Sequence, residues 1–478
     1  MVPLHMSGRT VLRALHHRQS SLKTLSVCSK AVASAATQLR VAAPAADPIR
    51  VEDAVTWMPR EVKPLGVAQA ILTEMSQRVL EGAEDPFFVV DLDDVQSRVN
   101  LWRECLPDVE PFYAVKCNPD SEMLSLLASN GVNFDCASQR EMQQVLDLQV
   151  EPSRIVYANP CKQPSHIRFA AAEGVGLTVF DSDSELRKIA VGHPGSDLLI
   201  RIQVDDSKAQ CVMSDKYGAP PADVPRLLGL ARELGLNVRG VSFHVGSGCY
   251  SANSFVDAVT AASCVHRIAA DAGAPMDILD IGGGFPGVDT PQLSFATIAA
   301  SLRPALARYF PRSSGVRVIA EPGRFFAATS HTLAVNIIGK KCVTRPDGAP
   351  HTMYYVNDGL YGSFNCVVYD HADPEYRVLP DVRVGLKESE GAQSSSVWGP
   401  TCDGFDCIIK EAELPHLDVG RWLYFPDMGA YTSAAGSTFN GMPLPEKLYF
   451  ERTPELVGGA AASCADSVEE CDLAAACA

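Results

Sequence analysis

Lys116 occupies a position that suits nucleophilic chemistry. It directly follows the apolar run 111–115, which the sequence predicts to be a β-strand. A lysine that points from a strand end into a partly dry site can lose its proton and form a Schiff base with an aldehyde. Most lysines at such positions are simply exposed charges, so Lys116 gains meaning only from the groups around it.

A glycine turn, an arginine and a serine could together bind a phosphate. Gly282, Gly283 and Gly284 are consecutive, and glycines let a backbone approach a phosphate closely and present its N–H groups. Glycine turns are common, so this signal is weak by itself. Arg324 would add a positive charge to the same site, and Ser247 would add a hydroxyl.

Glu321 and His244 are suited to hold a flat ring. A carboxylate at a strand end can keep a pyridine nitrogen protonated, which makes the ring an electron sink, and an imidazole can stack on the ring. Each also has an ordinary interpretation: a structural ion pair for Glu321 and a structural histidine for His244. Together with a lysine, a glycine turn and an arginine, however, they are what pyridoxal 5'-phosphate requires. The sequence therefore predicts this cofactor.

The elements that carry these groups predict the fold. Between about residues 84 and 325, short apolar runs alternate with segments of helical spacing. Eight strand–helix units indicate an α/β fold with a (β/α)8 TIM-like barrel, and an open doubly wound sheet is the alternative. Polar groups follow nearly every run, and a barrel gathers all eight strand ends round one mouth. After a first strand-like piece at 86–92, the runs are 111–115, 133–135, 155–158, 177–180, 198–204, 241–245, 278–281 and 316–320.

The rest of the chain predicts a second domain and two tails. After about residue 330, strand-like runs are separated by turns, which indicates a mostly β C-terminal domain. We predict a barrel at 84–330 and a β-domain made of 51–83 and 331–450. Residues 1–50 are predicted to be a disordered or transit-like N-terminal extension, and 451–478 a flexible tail.

Composition narrows the class of protein and its partners. The 478 residues carry a formal charge of −16, which argues against nucleic acid as the main partner. No apolar run approaches the roughly 20 residues that a membrane span needs. The 15 cysteines include no C-x-x-C pair, so we predict no metal site and a reducing, cytoplasmic location. The extension before Asp47 is basic, rich in serine and free of acids, so an organelle is the alternative.

Longer motifs resemble the eukaryotic ornithine decarboxylases, which belong to the group IV pyridoxal-phosphate decarboxylases with an alanine-racemase-like fold. The resemblance runs from about residue 84 to Phe450. The barrel motifs that carry it are 111–118, 134–138, 157–162, 244–248, 280–286 and 320–324. Those of the β-domain are 356–359, 361–365, 398–404 and 428–431.

The resemblance implies decarboxylation of L-ornithine to putrescine, the first step of polyamine biosynthesis. Lys116 would bind the cofactor covalently, and Cys402 would return a proton to the substrate carbon. Asp370 and Asp403 would bind the distal ammonium of this small amino acid substrate, because two carboxylates favour a basic side chain. The other implied cofactor ligands are Asp135, Arg201, His244, Ser247, Gly282, Gly283, Gly284, Glu321, Arg324 and Tyr431.

The resemblance also implies macromolecular partners. Cys402 and Asp403 would reach the active site of a second copy, in a head-to-tail homodimer with shared sites. An ion pair between Lys216 and Asp406 would cross that interface. Antizyme, a regulatory protein, is a possible partner, because the region 162–188 corresponds to where it docks. That region keeps four basic residues, although such charges are usually just a solvated face: Lys162, Arg168, Arg187 and Lys188.

Two alternatives remain open. The first is a lysine/ornithine decarboxylase of mixed specificity, since one methylene is worth only about 1–3 kcal/mol of discrimination. His371 favours ornithine, because relatives that prefer lysine tend to have an aromatic residue there. The second is an inactive regulator that resembles the antizyme inhibitors. The cofactor-contacting residues of this chain match the active pattern, which favours the enzyme.

Overall fold

The computed structural model describes residues 65–380 and 391–450, and eight parallel strands form a closed barrel within them. Each of the eight predicted runs overlaps one of these strands, so the predicted (β/α)8 barrel is confirmed. Round the barrel the order is β2-β3-β4-β5-β6-β8-β10-β11, and β11 pairs with β2 to close it. The strands are β2 (Glu110–Ala114), β3 (Asn133–Cys136), β4 (Ile155–Tyr157), β5 (Leu177–Phe180), β6 (Asp197–Arg201), β8 (Asn237–Ser242), β10 (Ile278–Asp280) and β11 (Arg317–Ala320).

A helix follows each barrel strand, and several begin at a side-chain cap. Asp120 accepts a hydrogen bond from the backbone N–H of Met123 at 3.0 Å, and Ser138 accepts one from Glu141 at 3.3 Å. Such caps satisfy backbone donors that the first helical turn leaves unpaired. The helices are α3 (Ser121–Ser129), α4 (Gln139–Asp147), α5 (Pro164–Glu173), α6 (Asp183–Gly192), α7 (Val224–Glu233), α8 (Ala252–Asp271), α9 (Phe295–Tyr309) and the short α10 (Arg324–Ala327).

Apolar residues fill both sides of the barrel wall. One cluster joins side chains of the strands alone, and it forms the interior layer of the barrel. A much larger cluster joins the strands to the surrounding helices. The interior cluster consists of Phe112, Val156, Val179, Leu199, Ile278 and Ile319. A packed interior leaves only the strand ends free to form a site.

A second, mostly β unit follows the barrel, as the sequence predicts. Its strands are largely antiparallel, and the long strand β12 (His331–Thr344) pairs with β1 (Phe87–Asp91), β13 (Pro350–Val356) and β17 (Trp422–Phe425). A small ribbon, β7 (Ala209–Cys211) with β9 (Ser247–Cys249), lies apart from it. The unit contains β12 (His331–Thr344), β13 (Pro350–Val356), α11 (Asn365–Tyr369), β14 (Arg377–Val378), β15 (Ala392–Trp398), β16 (Cys407–Pro415), β17 (Trp422–Phe425) and β18 (Glu446–Phe450).

The first described strand, β1 (Phe87–Asp91), belongs to this second sheet. It falls within the range predicted for the barrel, but it pairs antiparallel with β12 and parallel with β18. Helix α2 (Leu92–Cys105) then leads to the first barrel strand. The second sheet therefore combines β1, which precedes the barrel in the sequence, with strands that follow the barrel. A local pattern of apolar residues does not reveal this pairing.

Helix α1 (Leu65–Leu80) packs on the same sheet. Its buried residues Val67, Ile71, Met75 and Val79 are spaced four apart, so they form one apolar stripe. The stripe contacts residues of the second sheet such as Trp422. The predicted extension 1–50 and tail 451–478 lie outside the described residues, and the full division into domains stays a prediction. No helix between residues 65 and 450, in the parts that are described, is long and apolar enough to cross a membrane.

Candidate active site

The predicted barrel residues gather at the carboxyl ends of the strands. Lys116 follows β2, Asp135 lies in β3, and Arg201 ends β6. His244 follows β8, and Glu321 follows β11. Because the strands are parallel, these ends share one face of the barrel, where active sites of this fold lie.

Lys116 forms an ion pair with Asp135. The Lys116 side chain is 38% exposed, whereas the Asp135 side chain is fully buried. Burial by itself would lower the pKa of Lys116, but the negative charges of Asp135 and Glu321 outweigh it and raise that pKa above its ordinary value. The amine is therefore an ammonium in this state, and it must give up a proton before it can attack an aldehyde.

Glu321 is a buried carboxyl with a free oxygen. Its Oε1 atom has no hydrogen-bond partner among the described residues. Burial, together with the nearby Asp280 and Asp135, raises the pKa of Glu321 well above its ordinary value. This carboxyl therefore keeps its proton to a higher pH than an exposed glutamate does, which suits a partner for a ring nitrogen.

Asp280 lies behind Glu321 and was missed in the sequence analysis as a functional residue. It accepts a hydrogen bond from the backbone N–H of Gly282 at 2.8 Å. Burial raises the pKa of Asp280 to about 6. Its signal in the sequence was present, since it stands two residues before the glycine turn, but an aspartate before a turn usually serves only the turn.

His244 is held as a neutral ring. The backbone N–H of Gly246 donates to its Nδ1 at 3.0 Å, so the ring proton lies on Nε2. Enclosure in the barrel and the positive charges of Arg201 and Lys116 lower the pKa of His244 well below its ordinary value. A side chain on Gly283 would come within 2.8 Å of His244 Nε2 and 2.7 Å of the Glu321 carbonyl oxygen. Glycine at this position therefore lets the two strand ends approach each other.

Arg324 and Ser247 form the centre of an anion cradle. The Nη2 of Arg324 donates to Ser247 Oγ at 2.6 Å. The guanidinium lies over the ring of Tyr431, 4.9 Å from its centroid. The Nε of Arg324 is buried and has no partner in the described part of the chain. Gly284 nearby has a φ of +103°, which glycine adopts without strain.

These residues fit pyridoxal 5'-phosphate. An unpaired cationic N–H beside a hydroxyl and a glycine turn suits the phosphate. An unpaired carboxyl oxygen suits the ring nitrogen, and a lysine at the same face suits the aldehyde. Arg201 lies close by, with its guanidinium over Tyr217, 5.1 Å from the ring centroid.

Asp370 lies beside this cradle, and its carboxylate is already paired. It accepts hydrogen bonds from Arg324 Nη1 at 3.1 Å and Nη2 at 2.7 Å. Cys211 also donates to it, with Sγ at 3.6 Å from Oδ1. The resemblance implied only a contact with the substrate ammonium, so Arg324 and Cys211 are partners that the sequence did not predict.

Cys402 and Asp403 are exposed and lie in a loop of the second unit. The backbone N–H of Cys402 donates to Asn440 at 2.9 Å. The hydroxyl of Tyr361 donates to Asp403 and lowers the pKa of that carboxyl. Their contacts in the described chain are thus with the β-domain, and neither group is joined to Lys116.

The two residues of the predicted interface pair differ in accessibility. Lys216 is exposed, but Asp406 is only 1% exposed. Asp406 accepts hydrogen bonds from the backbone of Leu360 at 2.7 Å and from the hydroxyl of Thr401 at 2.7 Å. Its carboxylate therefore holds its own loop together, and the ion pair with a second copy stays a prediction.

Two of the four basic residues at 162–188 do not face solvent freely. Lys162 is 3% exposed and pairs with Glu185 at 3.0 Å, which also pairs with Lys188. Only Arg168 and Arg187 of the four are exposed. The basic surface suggested for antizyme is therefore smaller than the sequence indicates, because burial of a lysine is not visible in a list of charges.

Comparisons with known proteins agree with this geometry. Residues 92–328 match the family described as pyridoxal-dependent decarboxylase, pyridoxal binding domain. The ornithine decarboxylase of Mus pahari is 50% identical over 380 residues, which cover 78% of this chain and 82% of that protein. Antizyme inhibitor 2 of Xenopus laevis is 46% identical over 380 residues, with coverage of 78% and 82%. The crystal structure of the arginine decarboxylase of Paramecium bursaria Chlorella virus superposes with a TM-score of 0.74 at 34% identity, and covers 80% of this chain and 100% of that chain.

Proposed function

This chain belongs to the ornithine decarboxylase family of the pyridoxal-dependent decarboxylases, and on that premise we propose that it converts L-ornithine to putrescine and carbon dioxide. Its cofactor is pyridoxal 5'-phosphate, and the product serves polyamine biosynthesis. The observation that carries the proposal is the ion pair of Lys116 with Asp135 at the barrel mouth, which also holds the unpaired carboxyl of Glu321. An inactive relative would have no need to keep this set intact.

The bound cofactor supplies an electron sink for the electrons that remain when carbon dioxide leaves. Lys116 would provide the amine that attaches it, and Asp135, which pairs with that amine, would hold it at the barrel mouth. Glu321 holds a proton for the ring nitrogen, because its pKa is raised by burial and by Asp280. His244 is neutral, so it can lie against the ring without adding charge.

The phosphate is held by a second set of residues. Arg324 presents an N–H and a positive charge, and Ser247 presents its hydroxyl. Tyr431 supports the guanidinium from one side. The backbone N–H groups of Gly283 and Gly284 would complete the cradle, since that of Gly282 is paired with Asp280, and Arg201 lies toward Tyr217.

Cys402 and Asp403 act in the active site of a second copy of this chain. Cys402 returns a proton to the substrate carbon, and Asp403 binds the distal ammonium together with Asp370. Three observations support this head-to-tail homodimer. The two residues are exposed in a single chain, neither contacts Lys116 among the described residues, and exposed aromatic side chains occur in the same unit. These aromatic residues are Tyr369, Phe405 and Phe439, which are 72%, 62% and 44% exposed.

We place the enzyme in the cytoplasm, and an organelle remains the alternative because the basic extension 1–50 lies outside the described residues. Fusion of 1–50 to a fluorescent protein distinguishes the two locations. Antizyme is proposed as a partner with a small basic contact at Arg168 and Arg187.

The first test is to purify the protein and record its absorbance with cofactor added. Ornithine, lysine and arginine are then supplied separately, and carbon dioxide release is followed. We expect a visible cofactor band and fastest release from ornithine, and both should be lost in Lys116→Ala. Lys340→Ala is the matched control, because it removes a β-domain lysine that pairs with Asp418 outside the barrel.

The alternatives give different results in the same experiment. Equal rates with lysine and ornithine would indicate mixed specificity. A colourless protein that releases nothing from any of the three would contradict the decarboxylase function and would favour a regulator similar to the antizyme inhibitors.

A further inference from the structure

The carboxylate of Asp370 accepts two hydrogen bonds from one edge of the Arg324 guanidinium. Nη1 of Arg324 lies 3.1 Å from Oδ2 of Asp370, and Nη2 lies 2.7 Å from Oδ1. The two side chains are only 12% and 9% exposed. A two-point contact between a guanidinium and a carboxylate fixes the plane of the guanidinium as well as its position.

The other edge of the same guanidinium faces the anion cradle. Nη2 also donates to Ser247 Oγ at 2.6 Å, and the adjacent Nε has no partner among the described residues. A side-chain carbon on Gly248 would lie 3.8 Å from this Nε, so the turn after Ser247 is directly in front of it. One guanidinium thus has one edge occupied and one edge open toward the place for a phosphate.

Asp370 is itself held from several directions. Its backbone N–H donates to the carbonyl of Cys366 at 3.0 Å at the end of α11, and its carbonyl accepts from Gln210. Cys211 contacts its carboxylate. The next residue, His371, has a φ of +53°, a conformation that costs free energy for a residue with a side chain. The direction of the carboxylate is therefore fixed by its surroundings and not by Arg324 alone.

We propose that Asp370 is a positioning residue for the cofactor phosphate, because it holds Arg324 by one edge so that the other edge meets the phosphate. This role rests on the proposed function, and it is additional to a contact with the substrate ammonium. The Asp370 carboxylate would then serve both ligands: the cofactor phosphate through Arg324, and the substrate ammonium directly. Loss of Asp370 should therefore weaken the cofactor, whereas loss of Asp403, the other carboxylate assigned to the ammonium, should not.

The test compares Asp370→Asn with Asp403→Asn. Equilibrium dialysis of the apoenzyme measures the affinity for pyridoxal 5'-phosphate, and thermal shift measures the affinity for inorganic phosphate. For Asp370→Asn we expect about tenfold or greater loss of affinity for the cofactor, and a loss of the same sign for phosphate, since hydrogen bonds to charged groups are at stake. For Asp403→Asn we expect an increased KM for ornithine with unchanged cofactor affinity.

A double-mutant cycle separates positioning from a general structural effect. Arg324→Lys keeps the charge but cannot offer two edges, so adding Asp370→Asn to it should cause little further loss of cofactor affinity. Circular dichroism checks the fold of each apoenzyme. Should Asp370→Asn fold poorly, Asp370→Glu carries the same test, because it keeps the charge and shifts the grip on Arg324.

Each possible result decides the matter. Unchanged cofactor affinity in Asp370→Asn would overturn the proposal. Tighter binding would also overturn it, since it would mean that Asp370 competes with the phosphate. Fully additive losses with Arg324→Lys would show that Asp370 does not act through Arg324. If the wild-type protein fails to bind the cofactor, it is the proposed function that fails.

Discussion

At the scale of single residues, two buried carboxyl groups lie side by side at the barrel mouth. Asp280 is fully buried, and Glu321 is 7% exposed. Their mutual repulsion and their burial favour the protonated form of the pair. The site therefore stores a proton close to the place for the ring nitrogen, and it does so at a cost to stability at neutral pH.

This cost predicts a pH dependence of stability. The pKa of Asp280 is raised to about 6 in the folded protein. Below the unfolded pKa of about 3.9, Asp280 is protonated in both the folded and the unfolded state and costs no stability. As the pH rises from there through 6, the unfolded state loses the proton more readily than the folded state, and the free energy of unfolding falls. In Asp280→Asn apoenzyme, the free energy of unfolding relative to wild type should rise by roughly 1–3 kcal/mol between pH 4 and pH 7. Urea unfolding at several pH values measures it.

Asp277→Asn is the control for this prediction, since Asp277 lies three residues away. A hydrogen bond from Arg239 lowers the pKa of Asp277. The stability linked to Asp277 is therefore lost only below about pH 4, and Asp277→Asn should differ from wild type by a nearly constant amount between pH 4 and pH 7. A difference between wild type and Asp280→Asn that stays constant with pH would contradict the proton-holding pair.

At the scale of secondary-structure elements, a polar clamp joins the barrel to the last described strand. Asp120, the cap of α3, accepts from Lys447 Nζ at 2.6 Å and from the Tyr449 hydroxyl at 2.9 Å, both in β18. Burial by itself would raise the pKa of Asp120, but Lys447 outweighs it and lowers that pKa. One carboxylate thus serves a helix end of the barrel and a strand of the second sheet.

Removal of Lys447 should show how much this clamp adds to the free energy of unfolding. Lys447→Met leaves the 4%-exposed Asp120 without its countercharge. The free energy of unfolding at pH 7 should fall by about 1–3 kcal/mol, and the loss should shrink as the pH falls through the lowered pKa of Asp120. The neighbouring Glu446→Gln breaks the exposed pair with Arg78 and should change stability little. Equal effects of the two changes would contradict the importance of the clamp.

The sequence predicted the positions of the secondary-structure elements better than it predicted which elements and side chains contact one another. All eight barrel strands were found because each is a short apolar run followed by a polar residue at the mouth. The strand at Phe87 has the same local pattern, yet it pairs with Ala334 and Glu446 in the other sheet. Likewise, the sequence identified Asp370 and Lys162 as charges but could not show that one grips Arg324 and the other is buried. Pairing and burial depend on contacts between distant segments, which composition and spacing do not specify.

At the scale of the whole molecule, the proposed catalytic residues Lys116 and Cys402 have different partners in the described chain. Lys116 is at the barrel mouth, and Cys402 is exposed in a loop of the β-domain. In a head-to-tail dimer with twofold symmetry, each site takes Lys116 from one subunit and Cys402 from the other. Such an arrangement makes the monomer inactive whatever its stability.

Mixing two inactive variants tests this arrangement. Lys116→Ala and Cys402→Ala subunits should each be nearly inactive alone. After mixing and re-equilibration, activity should recover to about a quarter of wild type, because about half of the dimers are mixed and each of these has one intact site. Mixing Lys116→Ala with Asp135→Asn, two residues of the same barrel mouth, is the control and should restore nothing. No recovery in the first mixture would contradict shared sites.

The pairing of β1 with both β12 and β18 has a consequence for the order of folding during synthesis. Strand β1 leaves the ribosome before the whole barrel, but its parallel partner β18, which pairs Phe87 with Glu446, is made only after the barrel and the other strands of the second sheet. The barrel can close on contacts between consecutive units, whereas β1 keeps unpaired edge groups until the last strand arrives. The nascent chain therefore carries an apolar strand with an unpaired edge from the synthesis of β1 until that of β18, and this interval is when chaperone binding or aggregation would compete with folding.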